Sequence, residues 1–224
     1  MNTAISNTAE FQEISRQAIK DNQPAVLPEI YKEDTNIVIW QRNLDNSLVE
    51  AADHILSTQP QLQASILVNP KNAYNVLNDV LGDAPVTNTL SEDIAHLTDM
   101  FCYLFELNNV GLRLTALDRA MCPRFHVDRV PCRLVTTYRG VASQWLPHDC
   151  VDRTKLGPGS EGKSDDESGL FSQASDIQQL NEGDVALLKG EYWQGNEGAG
   201  LVHRSPMVPQ DSLRLLLTLD FTNR

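Results

Sequence analysis

Long apolar runs are missing from this 224-residue chain, and none approaches the ~18 consecutive residues needed to span a bilayer. The opening segment, MNTAISNTAEFQEISRQ, lacks the basic-then-apolar layout of a signal peptide, so a cytoplasmic protein without membrane association is expected. Cysteine is scarce. With four cysteines in a chain that is 41% hydrophobic, a core can form without disulfide staples, and reduced thiols are the expectation. Positive charge is short as well: 18 Lys and Arg against 30 Asp and Glu leave a net charge of -12. That balance excludes a nucleic-acid-binding surface, which needs clustered cations to neutralise phosphates. No internal repeat and no G-x-S-x-G are present, which removes the commonest serine-hydrolase signature.

What is present is unevenly placed. Residues 1–108 carry a net charge of -10 and residues 109–224 only -2. Seven arginines (Arg113, Arg119, Arg124, Arg129, Arg133, Arg139 and Arg153) crowd the stretch 113–153. Guanidinium groups grip carboxylates and phosphates bidentately, so a small, anionic ligand is one expectation. Pairing of these arginines with the acidic front half is the other.

The texture of the chain also changes midway. An amphipathic helix is expected over Thr8–Asn22, a buried strand over Asn36–Arg42, and helices near Ser47–Ser57, Ala73–Leu81 and Ser91–Leu107, the last capped by Ser91. After Asn109 come short runs bounded by turn residues: Gly111–Asp118, Arg124–Arg129, Cys132–Arg139, Asp184–Lys189, Gly200–His203 and Leu213–Phe221. The expected fold class is therefore α+β, with a mainly helical region over 1–109 and an all-β region over 110–224, packed as one unit. The segment GPGSEGKSDDESG (157–169) reads as a mobile loop. Its formal G-x-G-x-x-G is discarded, because KSDDES follows where a phosphate-binding fingerprint needs a helix.

Chemistry concentrates around RFHVDR. In a strand, residues two apart share a face, so His126 and Asp128 would point together and could chelate one metal ion. Two imidazoles and a carboxylate form the facial arrangement that holds iron(II) and leaves positions open. The distant imidazole is expected from His203, at the end of a strand in AGLVHRSP, rather than from His148 in the turn LPHDC. A turn at Glu182-Gly183-Asp184 feeds a buried strand upstream of His203. Downstream, alternation in LRLLLTLDF places Arg214, Leu216, Thr218 and Asp220 on one face.

This order of residues resembles the iron(II)/2-oxoglutarate-dependent oxygenases. The resemblance spans roughly residues 111–221 and implies a cupin-like jelly roll, the double-stranded β-helix. It further implies that His126, Asp128 and His203 are catalytic metal ligands and that Arg214 binds the far carboxylate of 2-oxoglutarate. The strings CPRFHVDRVPCR, GDVALLKGE and VHRSP also resemble an uncharacterised bacterial family, a domain of unknown function associated with zinc-responsive gene neighbourhoods. That likeness implies an alternative: a zinc-binding accessory protein in metal homeostasis, without redox turnover. Cys122 and Cys132 flank the H-x-D symmetrically and keep zinc in view, because thiolates are softer ligands. His148, Asp149 and Cys150 could form a second metal site, although a polar turn is the plainer expectation. Lys189 is expected to snorkel from a strand end, and Trp145, Tyr192 and Trp193 to line core or rim.

Overall fold

Among the residues described by the computed structural model, 15–82 and 84–222, the chain forms ten strands and three α-helices. In order these are β1 (Gln17–Asp21), β2 (Thr35–Trp40), α1 (Asn46–Thr58), β3 (Gln63–Val68), α2 (Ala73–Leu81), α3 (Pro85–Leu104), β4 (Val110–Leu117), β5 (Cys132–Arg139), β6 (Gln144–Leu146), β7 (Gln178–Gln179), β8 (Val185–Lys189), β9 (Val202–Arg204) and β10 (Arg214–Phe221). Local chemistry sets several boundaries. The Asp45 carboxylate accepts from the Leu48 N–H and caps α1, whose buried Leu48, Ala51, Ala52, Ile55 and Leu56 make one apolar stripe.

The fold is a mixed α/β arrangement around a large sheet. Seven strands run β1-β2-β8-β5-β10-β4-β3, and three more form a small sheet, β7-β6-β9. Strand alternation separates two cores. Val185 and Leu187 of β8 join α1 and α3 on one face, whereas Ala186 and Leu188 point to the other face, with Leu216, Val135 and Trp145. A third cluster, Phe125, Leu146, Leu170 and Val202, covers the far side of the small sheet. The helical layer is tied to the large sheet by Arg42, which grips Asp93 of α3 at 2.7 and 3.0 Å, while the Tyr138 hydroxyl donates to the same carboxylate at 2.6 Å.

Several expectations change here. The change of texture at Asn109 is not a spatial division of the sheet, because β1, β2 and β3 come from the front half and β2 lies beside β8. Residues 8–14 of the expected first helix lie outside the described residues. Within the remainder, Gln17–Asp21 is a strand, drawn into parallel pairing by the buried β2. Helix α3 starts at Pro85, whose fixed φ suits the first turn, so Ser91 is a buried mid-helix residue instead of a cap. The glycine-rich segment 157–169 is pinned. Its Asp165 is buried, accepts from the Phe125 N–H at 2.9 Å and pairs with Arg204 at 3.2 Å. A Cβ at Gly159 would lie 1.8 Å from the Thr154 carbonyl oxygen, so glycine there permits a close backbone approach.

Candidate metal centre

The segment 124–129 is not a regular strand. It meets β9 through one isolated bridge, in which His126 and His203 exchange both backbone hydrogen bonds at 3.0 Å. Asp128 is then turned toward the same point by its neighbours. Its carbonyl accepts from the Glu191 N–H at 2.9 Å, and Gly190 packs so closely that a Cβ would lie 2.1 Å from the Val130 oxygen. The convergence of His126 and Asp128 therefore depends on tertiary contacts with 190–203, and the expected strand parity was the wrong reason for it.

The geometry at the centre is tight. Ligand atoms of His126, Asp128 and His203 all lie within 4.8 Å of one another, so the three could hold a metal ion. His203 Nε2 is 3.3 Å from Asp128 Oδ2, and His126 Nε2 is 3.6 Å from Oδ1. Each imidazole has its Nδ1 beside a backbone carbonyl two residues earlier, Arg124 at 2.9 Å and Leu201 at 3.2 Å. With each Nδ1 facing a carbonyl acceptor, Nε2 is the ring nitrogen turned toward Asp128 and is the one placed to bind a metal. Burial opposes ionisation of Asp128, yet hydrogen bonds from both histidines and the nearby Arg133 outweigh it and hold the carboxyl well below the ordinary range. Burial is the largest influence on His126 and lowers its pKa, but the hydrogen bond and charge of Asp128 together with the Arg124 carbonyl outweigh it and raise the pKa.

Arg214 lies in the same cavity, which has a volume of about 60 Å³ and is also lined by His126, His203, Arg133, Ser143, Ser205 and Thr218. Its side chain is completely buried. The guanidinium donates to the hydroxyls of Thr137 (3.0 Å), Ser143 (2.9 Å) and Ser205 (2.9 Å), thereby bridging the two sheets. Among the described residues no carboxylate lies within 4.0 Å of it. Burial alone pulls its pKa down to about 10. A buried cation satisfied only by neutral hydroxyls is costly, and an incoming carboxylate would offset that cost.

The other arginines are mostly spoken for. Arg139 pairs with Asp53 at 2.6 Å and Glu182 at 3.2 Å, Arg124 with Asp165 at 3.5 Å, and Arg153 donates to the Gly200 carbonyl at 2.8 Å. Three of the seven, Arg124, Arg133 and Arg139, thus pair with carboxylates of this chain, Arg139 with Asp53 of the acidic front half. Neither flanking cysteine joins the triad: Cys132 is fully buried on the helix-facing side, its thiol pushed well up by burial, and Cys122 lies on the cavity lining outside the cluster. His148 is buried, its Nδ1 3.2 Å from Arg153, and no second group of three ligands occurs among the described residues. Lys189 does not snorkel. It is buried, donates to the Lys32 carbonyl at 2.8 Å and sits over the Trp193 ring.

Sequence reasoning missed Arg133, Thr137, Ser143 and Ser205. Two of these had a signal: Ser205 follows His203 by two, and Thr137 belongs to the well-patterned β5. Ser143 lies in a short irregular connection and had none.

Known structures place the fold. The dioxygenase for auxin oxidation 1 from Arabidopsis thaliana, solved as a 2-oxoglutarate complex, is similar over 93% of this chain and 93% of its own, at 8% identity and a TM-score of 0.51. The rice dioxygenase for auxin oxidation is similar over 92% of this chain and 82% of its own, at 10% identity and a TM-score of 0.51. At these identities the likeness concerns the fold. No curated protein sequence matches the chain. The family model described as "Protein of unknown function (DUF1826)" matches residues 21–220.

Proposed function

The chain belongs to the DUF1826 family, and on the site this member carries we propose that it is a mononuclear non-haem iron(II) oxygenase that uses 2-oxoglutarate to oxidise a small molecule. The observation that carries the proposal is Arg214, a fully buried cation without a carboxylate partner among the described residues, lining one cavity with the two histidines of a two-histidine, one-carboxylate cluster. The large and small sheets act as the two walls of a double-stranded β-helix, and the helices of the front half form an outer layer against the large sheet.

The residues present fit both groups. Two neutral imidazoles and a carboxylate suit iron(II), and the cationic, hydroxyl-lined end of the cavity suits a carboxylate. Iron(II) and 2-oxoglutarate, when bound, supply the oxidising power for oxygen insertion. The protein does the rest. His126, Asp128 and His203 hold the metal on one face. Arg214, with Thr137, Ser143 and Ser205, takes the far carboxylate of the cosubstrate. Val135, Leu188 and Leu216 line the space between with apolar surface. The substrate enters past Met121 and Cys122. Of the arginines that suggested an acidic substrate, Arg124, Arg133 and Arg139 are committed to carboxylates of this chain. The zinc alternative is not favoured, since no thiol joins the triad.

Anaerobic titration with iron(II) and 2-oxoglutarate tests the reading. A weak visible charge-transfer band that disappears in His126→Ala is expected. Absence of the band in wild type, with tightly held zinc in the isolated protein, would overturn it.

A further inference from the structure

Arg133 makes the shortest side-chain contact to the Asp128 carboxylate, and metal ligation by the triad does not account for it. Its Nη1 is 2.6 Å from Asp128 Oδ2, nearer than either imidazole. Its other two nitrogens are also committed. Nε and Nη2 grip the two oxygens of Asp220 at 2.7 and 3.0 Å. Asp220 and Arg133 are directly opposed across β10 and β5, so the grip is set by sheet register and not by a flexible loop. Asp220 is also the penultimate residue of the strand that begins with Arg214, on the same face.

We propose that Arg133 is a positioning residue: clamped by Asp220, it holds one oxygen of Asp128 and so leaves the other as a single, fixed donor to the metal. This role rests on the metal-centre reading above. The physical argument has two parts. A bidentate guanidinium–carboxylate pair cannot swing, so the third donor presents a rigid contact, which Lys with its single rotating ammonium could not reproduce. Second, Arg133 keeps the local charge low. Asp128, Arg133 and Asp220 together carry one negative charge; without the arginine, which lines the cavity, the two carboxylates behind it would lose their neutralising partner and oppose the arrival of an anionic cosubstrate. Outer partners of this kind are worth about 10–100-fold in metal affinity when removed.

The test is a titration of the intact protein with manganese(II), following loss of the free-ion electron paramagnetic resonance signal and the line shape of the bound ion. Arg133→Met is expected to weaken manganese binding at least tenfold and to broaden the bound-ion spectrum. Arg133→Lys should recover only part of the affinity, and Asp220→Asn should lose several-fold while retaining the arginine. A merely structural arginine would lower thermal stability yet leave affinity and line shape unchanged in the folded protein. Wild-type affinity and spectrum in Arg133→Met overturn the proposal; if that variant does not fold, wild-type values in both Arg133→Lys and Asp220→Asn overturn it. Failure of the wild-type protein to bind manganese, or binding that survives His126→Ala, instead overturns the metal-centre reading, and this role falls with it.

Discussion

Arg214→Met separates the cost of a buried charge from its use. In the ligand-free protein the guanidinium is fully buried and has no anionic partner among the described residues, and the depression of its pKa to about 10 corresponds to about 3 kcal/mol of unfavourable burial. Methionine removes that cost. It also strips partners from Thr137, Ser143 and Ser205, at about 1 kcal/mol each. The two effects nearly cancel, so the ligand-free variant should melt within a few degrees of wild type. Ligand behaviour should differ sharply. At 2-oxoglutarate concentrations about 100 times Kd, with manganese present, wild type gains about 2.7 kcal/mol. For a chain of this size that is about 5–10 °C in Tm. Thermal unfolding by circular dichroism, with manganese alone and with manganese plus 2-oxoglutarate, reads both terms. In Arg214→Met the shift from manganese should persist and the further shift from 2-oxoglutarate should vanish. A variant that keeps the 2-oxoglutarate shift, or that melts more than ~10 °C lower without ligand, would refute the reasoning.

Other outcomes follow from neighbouring parts of the structure. Asp128→Asn keeps the size of the side chain but weakens its donor oxygen, so manganese should lose its stabilising effect on Tm, and an unchanged effect would count against the triad. Asp165→Asn weakens the pairs with Arg204 and Arg124 and should cost about 2–3 kcal/mol, exposing 157–169 to limited proteolysis; an uncleaved loop would show that other contacts hold it. Lys189 has its pKa lowered to about 8, mainly by burial, so the unfolded state binds more protons between pH ~8 and ~10 and wild-type stability should rise through that window. Lys189→Met should accordingly be more stable than wild type near pH 7, with the advantage shrinking above pH ~9 in urea unfolding; an advantage constant with pH would contradict this.

How much was legible depended on whether a signal was local. Strands β5, β8 and β10 follow from runs rich in apolar and β-branched residues, bounded by Arg, Gly and Asp, and helices α1 and α2 from 3.6-residue spacing. Strand β3 was not apparent because QASILV is short and lies at a sheet edge, where only half its residues need be apolar. The seven arginines looked alike in sequence. Their carboxylate partners lie between 5 and 87 residues away in the clearest cases, Arg133 with Asp128 and Asp220, and no local pattern reports such pairings.

The sequence by itself determined the identity of the candidate ligands, because few histidines exist and only one H-x-D is followed by a buried strand, a histidine and an arginine in order. It also determined which face of β10 Arg214 shares with Asp220, since strand alternation is a property of the backbone. Tertiary structure alone decided that His126 and Asp128 converge outside any regular strand, held by the bridge to His203 and the close pass of Gly190. It alone decided that Arg214 is buried without a counter-charge while Arg133 is clamped between two carboxylates. Burial and charge pairing are set by which distant segments meet, and that is fixed by the order of strands in the sheet.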